Sequence, residues 1–169
     1  MATTGTLVDF GDLNVARTGG ASANSSVRGF FIGASDPAIT NLIDYVTFST
    51  TGNAQDFGDL TDAREFMSAA SSATRAVIGG GGDPANLNVV DFFNMATLGD
   101  AQDFGDLSVA RDQVACSCST TRGVWYGGFN FQSTMDYVTI QTTGNGIDFG
   151  DTGENVRGAA GTSNGHGGL

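Results

Sequence analysis

Apolar residues in this chain come in short runs of four to eight positions, and no stretch of ten residues keeps the 3.6-residue beat of an amphipathic helix. From Arg64 the runs read "REFMSAASS", "TRAVIGGGG", "LNVVDFFNMAT" and "AQDFGDL". From Arg111 they read "RDQVACSCS", "TRGVWYGG", "MDYVTIQTT" and "GIDFGD". Val, Ile, Phe, Tyr and Thr bounded by Gly, Asn, Asp and Ser predict strands separated by turns. "TTGN" at Thr50 to Asn53 and Thr142 to Asn145, with "TLGD" at Thr97 to Asp100, predicts a tight hairpin needing positive φ between the third and fourth strands. The expectation is all-β, with four strands between one arginine and the next.

The same phrases return at a fixed interval. "DFGD" stands at Asp9, Asp56, Asp103 and Asp148, spaced by 47, 47 and 45 residues. Arg17, Arg64, Arg111 and Arg157 form one ladder, Arg28, Arg75 and Arg122 a second, and Asp44, Asp91 and Asp136 a third. Those seven arginines are the only Lys or Arg residues, so each fixed positive charge is a repeat position that calls for a structural partner. Four antiparallel strands in a period of this length is the size of one β-propeller blade. The chain divides into a partial unit 1–15, units 16–62, 63–109 and 110–155, and a partial unit 156–169, within a single repeat domain.

Composition changes this picture only by exclusion. The chain has 169 residues, 40% of them hydrophobic, which suits one domain with a core. Its 26 glycines are spread through the repeat, as many turns require. A net charge of −11 repels phosphate and speaks against nucleic acid and anionic lipid as partners. No apolar run approaches membrane-spanning length and no secretion signal is visible, so a soluble chain made in a cytoplasm is expected. Cys116 and Cys118 point to the same face of a strand, too far apart along it for an easy disulfide, and read as packing residues.

The order of an arginine, a small-residue strand, an apolar strand ending in Gly79-Gly80 or Gly127-Gly128, a "DYV" strand and a fourth strand resembles the kelch repeat. The first unit has Gly33-Ala34 instead. The kelch tryptophan of the fourth strand is absent, and Phe10, Phe57, Phe104 and Phe149 stand near its place. More closely, "NLIDYVTFSTTGNAQDFGDLTDAR" and "TMDYVTIQTTGNGIDFGD" resemble a repeat carried in many copies by structural proteins of tailed phages that infect cyanobacteria. The resemblance implies a virion structural part, with other virion proteins as partners and the virion as location.

Within "DFGD" the phenylalanine is expected to anchor the strand, the glycine to allow a bulge or positive φ, and the aspartates to accept hydrogen bonds from backbone amides or from the repeated arginines. A rival reading makes Asp9, Asp12, Asp56, Asp59, Asp103, Asp106, Asp148 and Asp151 oxygen ligands for calcium, although the dense Asp/Asn alternation of known calcium loops is missing. No nucleophile–histidine–acid arrangement is visible. The single histidine, His166, lies in "SNGHGGL", and "GGGGD" at Gly79 to Asp83 lacks the lysine and helix of a phosphate loop. No enzyme is expected.

The ends are the remaining feature. Residues 7–13 read as a fourth strand without the three before it, and the segment from Arg157 as a first strand without the three after it. Such edges recruit other strands, so a homo-oligomer is expected, and deleting Met1 to Leu13 should lower assembly. The reading is thus a non-enzymatic decoration, fibre or tail-associated subunit acting through protein–protein assembly. The alternative is a carbohydrate-binding propeller that recognises surface glycans by stacking on Trp125, Tyr126, Phe129 and Phe131 in "VWYGGFNF".

Overall fold

The computed structural model describes residues 5–35, 37–129 and 132–163. Among these residues every regular element is a strand. The first sheet holds β1 (Ala21–Asn24), β2 (Arg28–Ile32), β3 (Leu42–Thr47) and β4 (Gln55–Asp59). The second holds β5 (Ser68–Ser71), β6 (Arg75–Gly79), β7 (Val89–Asn94) and β8 (Gln102–Asp106). The third holds β9 (Ala115–Cys118), β10 (Arg122–Tyr126), β11 (Gln132–Thr139) and β12 (Ile147–Val156). Each sheet is an antiparallel meander in sequence order, and the sheets approach most closely through their first strands β1, β5 and β9. The chain is therefore all-β, with three four-stranded sheets in an arrangement that fits the blades of a propeller.

Local chemistry explains the meander. Ser25, Ser72 and Ser119 each accept, through the hydroxyl, the amide of the arginine that opens the second strand, which closes the first turn in every sheet. Opposite the lone aspartate of the third strand the register shifts by one residue, so that Asp44 faces Asp56, Asp91 faces Asp103 and Asp136 faces Asp148. The phenylalanine of "DFGD" is the extra residue of this bulge, and Gly58, at φ 148°, follows it.

Alternation along the strands of the second sheet gives it two apolar faces. Ala76, Ile78 and Phe93 pack against Phe30, Ile43 and Phe57 of the first sheet. Val77, Val90 and Phe104 pack against Trp125, Val138 and Ile140 of the third. The core is thus two layers, one between each pair of successive sheets.

Several expectations need correction. Residues 48–54 form a longer connection in place of a two-residue hairpin, because the amides of Gly52 and Ala54 are turned toward another segment. Residues 7–13 are not a strand. They lie on the chain's own first sheet, where the carbonyls of Phe10 and Asp12 accept the amides of Gly52 (2.7 Å) and Ala54 (2.8 Å). The equivalent glycines are Gly80-Gly81 rather than Gly79-Gly80. Gly33, Gly80 and Gly127 share φ values of 56°, 73° and 69° and are followed by Ala34, Gly81 and Gly128.

Candidate functional site

The recurrent polar residues of the chain meet where one sheet touches the next. The carbonyl of Phe57 accepts the amide of Gly99 at 2.9 Å and that of Asp59 accepts Ala101 at 2.8 Å. Phe104 and Asp106 accept Gly144 and Gly146 in the same way, at 2.8 and 2.7 Å. In return Asp100 Oδ1 accepts the Asp59 amide and Asn145 Oδ1 the Asp106 amide, as Asn53 Oδ1 does for Asp12. "DFGD" of one unit and "TGN" or "LGD" of the next therefore form a clamp of three hydrogen bonds, and residues 9–12 make the same clamp on the first sheet. A Cβ built on Gly11, Gly58 or Gly105 would stand 2.3, 2.5 or 2.7 Å from a backbone atom of Gly52, Gly99 or Gly144, so only glycine allows the approach.

A buried ion pair lies beside each clamp. Arg17 reaches Asp44 at 2.7 Å, Arg64 reaches Asp91 at 3.0 Å, and Arg111 reaches Asp136 at 2.6 Å. Each arginine comes from the segment after "DFGD" and enters the following sheet, where the residue three positions earlier also binds the same aspartate: Asn14 Nδ2, the Thr61 hydroxyl and amide, and the Ser108 amide. Burial pushes the guanidinium of Arg64 below its ordinary value, and the facing Asp91 pulls it back up; Arg111 behaves alike against Asp136. The carbonyls of Arg64 and Arg111 accept the amides of Ala34 and Gly81 in the preceding sheet. The arginine ladder thus pairs with the aspartates of the third strand, not with those of "DFGD" as expected, because only the third-strand aspartate is buried and in need of a cation.

The second ladder stacks. Arg28 lies over Tyr45, Arg75 over Phe92 and Arg122 over Tyr137, with the guanidinium carbon 4.7, 4.3 and 4.3 Å from the ring centres. Arg28 Nη1 donates across to the Met95 carbonyl and Arg75 Nη1 to the Ile140 carbonyl, both at 3.1 Å. Arg122 has its ring and no carbonyl acceptor among the described residues.

The fourth copy differs in place and partners. Val156, not Arg157, accepts the Gly128 amide where Arg111 accepts Gly81, since β12 continues along β11 rather than leaving the sheet. Arg157 lies 6.0 Å from the ring centre of Phe129. Phe57 and Phe104 are each 3% exposed, whereas Phe149 is 49% and Phe10 37% exposed.

The calcium candidates are distributed along these clamps. Asp9, Asp103 and Asp148 accept the amide of the glycine two residues on, and the described residues contain no cluster of three His, Cys, Asp or Glu placed to hold a metal. Asp59 has its carboxyl pushed above the usual range, first by burial and then by Asp100 and Asp56. Asp12, Asp56, Asp106 and Asp151 are not drawn into a common cage.

The glycan candidates separate. Trp125 is fully buried, its Nε1 donating to the Ser68 carbonyl and its ring against Gly79, so it cannot stack on a sugar. Tyr126 is half-buried and donates to the Ala160 carbonyl, Phe129 is exposed, and Phe131 lies outside the described residues, as does His166. Cys116 is buried with its thiol pushed well above the ordinary value by that burial, and Cys118 is half-buried.

No family model matches the chain, and no curated protein matches it.

Proposed function

We propose that the protein is a non-enzymatic structural subunit of a tailed-phage virion, made of kelch-like blades and working by assembly with other virion proteins. The observation that carries this reading is the use made of its most repeated residues. "DFGD" and "TGN" join one four-stranded unit to the next, and Arg64 and Arg111, each pinned by the third-strand aspartate of its own unit, accept through their carbonyls the amides of Ala34 and Gly81 in the unit before. A chain whose recurrent chemistry is a joint is suited to adding units in register, which is the work of a fibre, decoration or tail component. The likeness of "NLIDYVTFSTTGNAQDFGDL" to the repeats of cyanophage structural proteins supports the same reading. Immunogold labelling of purified particles of the source phage with an antibody raised against the recombinant chain tests it. Labelling at a regular site on the particle is expected, and particles free of the chain would overturn the reading.

A further inference from the structure

We propose that the face of the third sheet turned away from the second binds the first sheet of a second copy of this chain, with Phe149 and Gly150 of one copy taking the place that Phe10 and Gly11 hold on the other. The proposal rests on the assembly reading above and names the partner for it. Three clamps in the molecule are closed, at Gly11, Gly58 and Gly105. At the fourth, a Cβ on Gly150 would meet nothing within 4 Å. The side chains that accompany a closed clamp are nevertheless in position there. Tyr137 and Phe149 meet edge to face at 5.9 Å, as Tyr45 and Phe57 do and as Phe92 and Phe104 do at the two internal joints. Arg122 covers Tyr137 as Arg75 covers Phe92, and has among the described residues no carbonyl of the kind that Arg28 and Arg75 find on the next sheet.

The complementary surface is on the same molecule. On the outer face of the first sheet Phe31, Val46 and Phe48 line a shallow apolar hollow whose other wall is Phe10 and Leu13 of the N-terminal segment. Phe48 occupies the repeat position of Met95 and Ile140, whose carbonyls receive Arg28 and Arg75, so its carbonyl is the acceptor assigned to Arg122 of the second copy. Asp44 already holds Arg17 and Asn14 of its own chain, so the incoming copy need bring no arginine. This agrees with β12 keeping Val156 in the sheet instead of sending a fourth arginine out of it.

Residues 7–13 stand in the way. The amides of Gly52 and Ala54 each have one proton, already given to Phe10 and Asp12, so the neighbour's Phe149 and Asp151 can take them only when residues 7–13 leave. The segment is a built-in cap, favoured over the neighbour by being tethered. Docking of a third sheet on a first sheet is head to tail, so copies joined this way close into a ring or extend into a longer array as the turn between them dictates. That release of the cap allows association reverses the effect expected from sequence for deleting the N-terminus.

Sedimentation velocity on the full chain, on Gly11→Glu and on a chain lacking residues 1–12, each with and without Phe149→Glu, tests the proposal, with thermal melts to verify folding. The full chain is expected to run mainly as single copies. Gly11→Glu and the deletion should associate at concentrations at least about tenfold lower. Phe149→Glu should return both to single copies, and Arg122→Ala should weaken them. Folded, uncapped variants that remain single copies overturn the proposal, and so does loss of folding, which would make residues 7–13 part of the core rather than an exchangeable cap. Oligomers of the full chain that Phe149→Glu leaves intact also overturn this contact but leave the assembly reading standing, whereas a chain that forms the contact yet is absent from particles does the reverse.

Discussion

Arg64 and Asp91 meet with neither side chain reaching solvent, an arrangement that is stable only while both are present. Removing one leaves a buried, uncompensated charge, so Arg64→Leu is expected to destabilise the protein by about 3–5 kcal/mol, measured by urea denaturation. Arg64→Leu with Asp91→Leu should recover most of that loss, because the pair's own desolvation then disappears as well. A second expectation concerns pH. Asp59 holds its proton more firmly folded than unfolded, since burial, Asp100 and Asp56 all disfavour its charge. Its contribution therefore favours the fold as pH falls from that raised value toward the ordinary value near about 4, and is lost as pH rises. Asp59→Asn should melt at a higher temperature than the parent at pH 7, with the gap narrowing toward pH 4; an unchanged gap would refute this. At this scale the ladders of arginine and aspartate were legible, and their pairing was missed. The missed signal is in "LIDYV" and "VVDFF", where a lone aspartate inside an apolar strand demands a cation more urgently than the less buried aspartates of "DFGD" do.

The strands were the most legible elements, because each alternates within itself and needs only its own residues to be recognised. Connections were less so. "TTGN" looks like a tight hairpin in isolation, yet its Gly52 amide donates to the Phe10 carbonyl and its Asn53 Oδ1 accepts the amide of Asp12, 41 residues away. No local pattern records a partner that distant. The joint can be probed with two chemically equal substitutions. Gly105→Ala and Gly150→Ala both force an alanine to positive φ, at 141° and 118°, and share a backbone cost of about 1–3 kcal/mol. Only Gly105→Ala adds a methyl 2.7 Å from the backbone of Gly144, so it should lose at least about 1 kcal/mol more in urea denaturation. Equal losses would show that the clamp contributes nothing beyond the conformation of its glycine.

For the molecule as a whole, the period of 47 residues was plain in the sequence. Hidden from it was that the first end folds back on its own chain, which depends on the spatial equivalence of Phe10 with Phe57 and Phe104. The position of the second sheet has a further consequence. It is covered on both faces, while the first and third sheets are each covered by another sheet on one. Its strands cannot exchange their amide protons with water until at least one neighbour has come away, whereas each outer sheet can open on its own. Deuterium should therefore enter β6 last, at Val77 and Ile78, and enter β12 and residues 7–13 much earlier, by mass-resolved exchange. Equal protection across the three sheets would mean that the whole chain opens at once; the expected gradient means that it thaws from both ends inward, with its centre keeping time for the rest.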